Sequence, residues 1–193
     1  MSKTVNLTYV GDIGSLVASD KQIAFVTEHV ESRSTSIYFI DGESNKLTSA
    51  TLPCGGLSVC AHGDQFWVGG TDGRLYCLTA KDKSATPSKA KLSAPASLIV
   101  SIDESLIACL TGEVVSVLDQ KGKVQQTLEF SVEDETVTPT AIGASQDGIW
   151  LAIGTNDGSV FVYEREDKTE FQLSESAQLH LSLIHISEPT RPY

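Results

Sequence analysis

The stretch QFWVGGTDGRLYCL, residues 65–78, returns in altered form as GIWLAIGTNDGSVFVY, residues 148–163. Each copy is an apolar run, a glycine-rich turn that contains Asp-Gly, and a second run that alternates apolar with polar residues. Such alternation is typical of β-strands, and Asp-Gly favours the tight turn of a hairpin. Two weaker copies lie elsewhere, so the sequence predicts a repeated strand–turn–strand unit.

The spacing of the copies indicates the architecture. The apolar residue that opens each inner strand is Ile23, Phe66, Ile107 and Trp150, and these positions are 43, 41 and 43 residues apart. A repeat of roughly 40–45 residues is expected for a four-stranded β-propeller blade. The sequence therefore predicts an all-β chain that folds as an incomplete β-propeller, with about four blades of four short antiparallel strands.

The predicted strands fall into one set for each position in a blade. First strands are predicted at 16–18, 57–61, 98–102 and 140–144, second strands at 23–27, 66–69, 106–110 and 150–154, third strands at 36–40, 74–78, 114–118 and 159–163, and outer strands at 46–52, 89–92, 124–130 and 170–173. The blade units are then 14–53, 56–93, 97–130 and 139–176 within a domain of residues 1–180, with 5–9 as a candidate closure strand.

Glycines and aromatic residues refine this prediction. Asp72-Gly73, Asp147-Gly148 and Asp157-Gly158 supply the positive φ that tight turns require. Small residues at Gly69-Gly70 and Gly154-Thr155 would let strands approach closely. Trp67 and Trp150 occupy equivalent strand starts, which favours core aromatics over a stacking platform for a cofactor or base.

The segment SQDGIWLAIGTNDGSVFVYE, residues 145–164, resembles the core of a WD repeat. Tyr163-Glu164 stands at the Trp-Asp position of that family, and the other copies place Ile40-Asp41, Leu78-Thr79 and Leu118-Asp119 there. The resemblance covers roughly residues 14–174. It departs from the family because no Gly-His pair precedes a first strand and no Trp ends a third strand. The family's network of His, Asp, Ser/Thr and Trp is therefore expected to be absent or incomplete, and the resemblance implies a divergent WD-like propeller.

The last residues differ from the repeat in composition and phase. LSLIHISEPTRPY, residues 181–193, resembles the translation of a transposase-type sequencing adapter, so we expect a non-native tail. On this interpretation the chain is an N-terminal fragment of a longer protein, and its missing partners include further C-terminal blades of the same chain. The exposed blade edge is then predicted to promote aggregation.

Composition limits the classes of function. A net charge of −11 and a pI near 4.7 argue against nucleic-acid binding through bulk charge. The sequence has neither a secretory signal nor a membrane-spanning run, so a cytoplasmic protein is expected. The four cysteines form no Cys-x-x-Cys pair, and His29 and His62 lack ligand spacing, so we expect reduced core cysteines and no metal.

No catalytic motif is apparent. The chain lacks Gly-x-Ser-x-Gly, and the turns GGTDG and GTNDG lack the lysine and helix of a phosphate-binding loop, so no catalytic or cofactor site is expected. The main hypothesis is a non-enzymatic protein-interaction scaffold that binds proteins or peptides through loops. The alternatives are a propeller hydrolase or oxidoreductase with a central-channel site, and a non-catalytic propeller domain of a larger protein. The candidate contact residues are Glu28, His29, Glu31, Arg33, Lys81, Lys83, Glu133, Asp134 and Glu135.

Overall fold

The computed structural model of the chain describes residues 13–27, 36–90, 92–132, 135–166 and 170–178. Throughout these ranges the regular secondary structure consists of strands, and none of it is a helix long and apolar enough to cross a membrane. The strands are β1 (Ile13–Ala18), β2 (Gln22–Thr27), β3 (Ser36–Asp41), β4 (Leu47–Thr51), β5 (Gly56–His62), β6 (Gln65–Gly70), β7 (Leu75–Leu78), β8 (Thr86–Pro87), β9 (Ala96–Ser101), β10 (Leu106–Thr111), β11 (Val114–Asp119), β12 (Val124–Glu129), β13 (Ser131–Val132), β14 (Glu135–Thr136), β15 (Pro139–Ala144), β16 (Trp150–Thr155), β17 (Ser159–Glu164) and β18 (Gln172–Gln178).

Sixteen of these strands form four antiparallel sheets of four strands each, in chain order. We call them sheet 1 (β1–β4), sheet 2 (β5–β8), sheet 3 (β9–β12) and sheet 4 (β15–β18). The predicted all-β architecture of four-stranded units is thus confirmed. Two local predictions were wrong. The outer strand of sheet 2 lies at Thr86–Pro87 rather than 89–92, and β13 pairs with β14 between β12 and β15, where no strand was predicted.

The first strand of each sheet is the innermost one. Strands β1 and β5, β5 and β9, and β9 and β15 contact one another, so these first strands stand side by side along the row of sheets. The strands that open at Ile23, Phe66, Ile107 and Trp150 lie one strand further out, in the second position that the sequence predicted for them. Those are second strands, which pair with a strand on either side. Two of them, β6 and β10, are strongly apolar because neighbouring sheets cover both of their faces.

The repeat register also differs from the predicted one in sheet 4. Leu151 pairs with Tyr163 in sheet 4, and Phe66 pairs with Leu78 at the corresponding place in sheet 2. The strand pairings therefore align Leu151, rather than Trp150, with Phe66. A shift of one residue moves a side chain to the opposite face of a strand. Trp150 therefore lies on the outer side of sheet 4, is 39% exposed and was wrongly assigned to the core, whereas Trp67 is 1% exposed against sheet 3, which confirms it as a core aromatic.

Three apolar clusters lie between successive sheets and hold them together. Phe39 of sheet 1 meets Phe66 of sheet 2 with 5.1 Å between ring centroids. Trp67 of sheet 2 shares a cluster with residues of sheet 3, and Phe130 packs 5.4 Å from Phe161 of sheet 4. Gly69 marks a close approach, because a Cβ there would lie 2.3 Å from the carbonyl oxygen of Ala96. The predicted role of small residues is confirmed at this position.

Two sheet faces at the ends of the row belong to none of these clusters. We call them the back face of sheet 1 and the forward face of sheet 4. Register places each set of side chains on one side of its sheet. The back face of sheet 1 consists of Leu16, Ile23, Phe25, Tyr38, Ile40 and Leu47, and the forward face of sheet 4 consists of Ala141, Trp150, Ala152, Val160 and Val162.

Candidate interaction site

The connections between strands lie on two opposite sides of the row of sheets. We call the upper side the one that carries the turn from the first to the second strand of each sheet, at residues 19–21, 63–64, 102–105 and 145–149. The lower side carries the turn from the second to the third strand. Because each sheet has four alternating strands, the innermost strands run in the same direction and equivalent turns share a side.

On the lower side, Asp72 organises the turn of sheet 2. Its carboxylate accepts hydrogen bonds from the Tyr76 hydroxyl at 2.7 Å and the Cys54 thiol at 3.4 Å. Burial, together with the hydrogen bond to Asp72, raises the pKa of Tyr76, so the phenol remains a neutral donor. The polar side chains that meet at this turn are those of Cys54, Asp72 and Tyr76.

The corresponding turn of sheet 4 is organised by Asp157. The hydroxyls of Thr155 and Ser159 donate to its two oxygens at 2.5 and 2.8 Å. Hydrogen bonds from Thr155 and Ser159 lower the pKa of Asp157, so the carboxylate stays ionised in its role as acceptor. Gly158 follows with φ of 85°, and the positive φ predicted for the three Asp-Gly turns is confirmed. These turns are structural hairpins.

On the upper side, a buried histidine joins sheets 2 and 3. The His62 Nδ1 atom lies 2.9 Å from the Ser101 hydroxyl, within hydrogen-bonding distance. Burial lowers the pKa of His62, and the charge of Asp103 opposes this change in part. The imidazole is therefore stabilised in its neutral form at the boundary between the two sheets.

A buried ion pair joins sheets 3 and 4. Arg165 donates from Nη2 to the Asp103 carboxylate and from Nε to the Gly148 carbonyl at 2.7 Å, and its guanidinium lies 5.2 Å from the ring centroid of Phe171. Burial raises the pKa of Asp103, but the hydrogen bonds from Arg165 and Ser105 outweigh it and bring that pKa to about 2. The Arg165 side chain is only 4% exposed, so this pair acts as a clamp between sheets.

Arg165 occupies a position that recurs in every sheet. Arg165 follows by two positions Tyr163, which pairs with Leu151. Ile40, Leu78 and Leu118 make the equivalent pairings in the other sheets, so the residues two positions after them are the counterparts of Arg165. In three sheets the recurring position donates a hydrogen bond to a carbonyl of the first turn. The donors are Gly42 N to Lys21 O at 2.8 Å, Gln120 Nε2 to Glu104 O, and Arg165 Nε to Gly148 O. The fourth residue, Ala80, has no side-chain donor, and its backbone makes no such bond to the described turn.

A groove opens where Ala80 lies, between sheets 1 and 2 on the upper side. Its volume is about 730 Å³. Ala61, Phe66 and Ala80 supply apolar surface, and the first turns of sheets 1 and 2 flank it. The charged lining residues are Asp20, Lys21, Asp64 and Lys81. The groove thus combines a few apolar side chains with polar and charged ones.

The structure separates the residues proposed from sequence. Lys81 lines the groove, whereas Lys83 lies beside sheet 1, where its carbonyl accepts a hydrogen bond from Thr51 N at 3.0 Å. Glu135 begins β14, which lies between β12 and β15 in the chain. The remaining candidates, Glu28, His29, Glu31, Arg33, Glu133 and Asp134, lie outside the described residues, as do the closure strand and the tail.

Other groove residues were missed by the sequence analysis. Asp20, Asp64 and Ala80 sit in turns whose equivalence becomes visible only once the pairings of each sheet are known. In an alignment of the repeats, Ala80 stands at the position of the larger residues Gln120 and Arg165. This difference in size is the signal that could have pointed to the groove.

The reactive side chains of the described ranges are dispersed. No group of three or more His, Cys, Asp or Glu residues within residues 13–27, 36–90, 92–132, 135–166 and 170–178 is arranged to hold a metal ion. All four cysteines are free, and burial raises the pKa of the Cys60 thiol to about 11. A thiol with so high a pKa is a poor nucleophile at neutral pH.

Comparison with known proteins identifies the fold. No protein-family model matches the chain, and no curated protein matches it. The β-propeller domain of Cps50 (Swd1) from Myceliophteria thermophila is similar with a TM-score of 0.71 at 12% identity, and the match covers 91% of this chain and 58% of that one. Kluyveromyces lactis Hsv2 is similar with a TM-score of 0.59 at 11% identity, over 86% of this chain and 61% of that one.

Those similarities show that the chain has the β-propeller fold, with four four-stranded blades in the part that the structure describes. The chain spans about three fifths of the length of these two proteins. At such low identities the likeness concerns the fold alone.

Proposed function

We propose that the protein is a non-enzymatic interaction scaffold of the WD-repeat type, which binds peptide segments of other proteins on its upper side. The observation that carries the proposal is the groove between sheets 1 and 2. Its walls are rigid sheets joined by buried aromatic contacts, so little ordering free energy is required of the scaffold on binding. Its rim offers charges of both signs, which favour polypeptide over a uniformly charged ligand.

We also propose that further blades, C-terminal on the same polypeptide, complete the propeller. The back face of sheet 1 and the forward face of sheet 4 support this idea. On the corresponding sheet faces inside the chain, residues such as Phe66, Val68 and Val117 are buried between sheets, whereas Leu16 and Trp150 are 58% and 39% exposed on the end faces. Exposed apolar faces of this kind mark interfaces. The shorter length relative to the two similar propellers agrees with the proposal.

A non-enzymatic role agrees with how the polar groups of the upper side are used. His62 bonds to Ser101 across the boundary of sheets 2 and 3, and Arg165 pairs with Asp103 across the boundary of sheets 3 and 4, so these groups act as contacts between sheets. The alternative of a catalytic central channel would require reactive residues on the innermost strands. On those strands Leu57 and Leu98 are more than one third exposed, and both are apolar. The four free thiols agree with the proposed cytoplasmic location.

A peptide-display selection tests the scaffold role. Peptides selected from a random library against the purified chain are titrated into ¹⁵N-labelled protein, and amide shifts map the surface they occupy. We expect shifts at Ala61, Gly63 and Ala80, and binding weakened roughly tenfold by Lys81→Glu. Lys123→Glu, on the β11–β12 turn outside the groove, is the matched control and should have no effect. Failure to select any peptide, or shifts confined to other surfaces, would contradict the groove as the binding site.

A further inference from the structure

The Arg165 site of sheets 3 and 4 has a counterpart, without its arginine, between sheets 1 and 2. We propose that the groove there binds an arginine side chain of a partner protein, flanked in the partner by acidic residues. The inference rests on the proposed scaffold function and specifies the ligand of the same groove.

The first step is the equivalence of the acid. Asp103 follows Ser101 by two positions, and Asp20 follows Ala18 by two positions. Ser101 and Ala18 are themselves equivalent, because they pair with Ile107 and Ile23 at matching places in sheets 3 and 1. Each carboxylate therefore stands in the first turn of the sheet that precedes the boundary, and Asp20 lines the groove.

The second step is the turn that faces the acid. In sheet 4 the carbonyl of Gly148, a residue with φ of 72°, accepts the Nε–H of Arg165. In sheet 2 the first turn contains Gly63, with φ of 58°, and this glycine also lines the groove. The groove thus reproduces the turn and the acid that hold the Arg165 guanidinium.

The third step is the position that supplies the cation. Ala80 stands where sheet 4 has Arg165, and it ends at Cβ, so the space that the arginine side chain fills between sheets 3 and 4 is open between sheets 1 and 2. An arginine from a partner can place its methylene groups along Phe66 and Ala61 and its guanidinium at the Asp20 carboxylate.

The remaining charges of the rim specify what surrounds the arginine. Asp64 adds a second acid, while Lys21 and Lys81 stand where sheets 3 and 4 have Glu104 and Glu166. Free lysines beside a bound guanidinium repel further cations and favour carboxylates. The preferred partner sequence is therefore a single arginine with acidic neighbours, and a polybasic segment is disfavoured.

The first experiment places the arginine in the chain itself. Ala80→Arg should fill the groove, pair with Asp20 and raise the thermal midpoint by roughly 2–4 °C. The gain should disappear in the Ala80→Arg, Asp20→Asn double variant. Ala80→Gln copies the residue at position 120 and introduces a shorter side chain. If the groove does not accommodate arginine, this variant should still give part of the rise in thermal midpoint. Destabilisation by both Arg and Gln would overturn the equivalence.

The second experiment measures binding directly, by chemical-shift titration with the peptide acetyl-Gly-Glu-Arg-Glu-Gly-amide. Shifts are expected at Asp20, Gly63 and Ala80, and the same peptide with citrulline in place of arginine should bind at least about tenfold more weakly, because the charge is lost. Ala80→Arg and Asp20→Asn should each weaken binding of the arginine peptide by a similar factor. Gln146→Glu, in the exposed first turn of sheet 4, is the control.

The outcomes separate the inference from the scaffold function. Equal binding of the arginine and citrulline peptides, or binding unaffected by Ala80→Arg, overturns the arginine site. If library-selected peptides bind the groove while the arginine peptide does not, the scaffold function stands and the inference fails. If no peptide binds the groove, both are refuted.

Discussion

Removing the Arg165 clamp should cost the protein about 3 kcal/mol of folding free energy. Arg165→Met keeps much of the side-chain volume and deletes three interactions, which are the ion pair with Asp103, the hydrogen bond to Gly148 and the contact with the Phe171 ring. Breaking a buried pair costs about 3–5 kcal/mol when the remaining charge has no compensation. Asp103 remains 16% exposed and still accepts bonds from Ser105 and Leu106, so the expected cost lies at the lower end.

The opposite substitution, Asp103→Asn, should cost more, about 4–5 kcal/mol. It leaves a guanidinium that is 4% exposed without its counter-charge, and arginine cannot relieve this by losing a proton. The double variant should then cost less than the sum of the two single changes, with a coupling of about 2–3 kcal/mol.

Urea unfolding, followed by the fluorescence of the buried Trp67, measures these differences. A cost below about 1 kcal/mol for Arg165→Met would refute the clamp, because exposed ion pairs contribute no more than that. An Asp103→Asn variant that is more stable than Arg165→Met would refute the argument about the stranded cation.

Three further predictions follow from single contacts. Because burial lowers the pKa of His62 while the unfolded chain protonates near pH 6.5, stability should fall as the pH drops from about 7 to 5, and this part of the slope should vanish in His62→Gln when both are followed by urea unfolding across pH. Gly69→Ala should lower the thermal midpoint more than Gly73→Ala, because a Cβ at 69 meets backbone at 2.3 Å whereas Gly73, at φ of 78°, has open space around it; equal midpoints would contradict the close approach. Trp67→Ala should cost about 3–5 kcal/mol in the same unfolding assay and Trp150→Ala less than about 1 kcal/mol, whereas similar costs would support the sequence-based alignment that made both residues core aromatics.

The strands and turns could be predicted because they follow from local chemistry. Alternating apolar residues between Asp-Gly turns define strands whatever the rest of the chain does, and Gly73, Gly148 and Gly158 adopt the positive φ expected of them. Register could not be read as safely. The apolar run around Trp150 offers two starting points one residue apart, and the pairing with β17 selects Leu151 as the equivalent of Phe66. That choice places Trp150 on the exposed face.

The polar contacts across sheet boundaries had no sequence signal of this kind. Arg165 and Asp103 are 62 positions apart, and His62 and Ser101 are 39 apart. Neither pair repeats in the other sheets. The counterparts of Arg165, for example, are Gly42, Ala80 and Gln120. A repeat search detects what the blades share, and these contacts depend on what each blade does differently.

That difference also explains where a binding site can form on such a fold. The apolar positions between sheets are fixed by the need to bury each face, so they leave little room for variation. The upper-side position that Arg165 occupies in sheet 4 carries no such constraint. A backbone N–H, a glutamine or an arginine at this position can each donate a hydrogen bond to the carbonyl of the first turn. Where the residue is large, as at Arg165, the boundary closes and the sheets are clamped. Where it is Ala80, the boundary opens into a groove that retains the acid and the turn of the closed version. A small residue at this position therefore gives up contacts that stabilise the sheet boundary and leaves a groove for a ligand. Ala80→Arg should restore the stabilising contacts and close the groove.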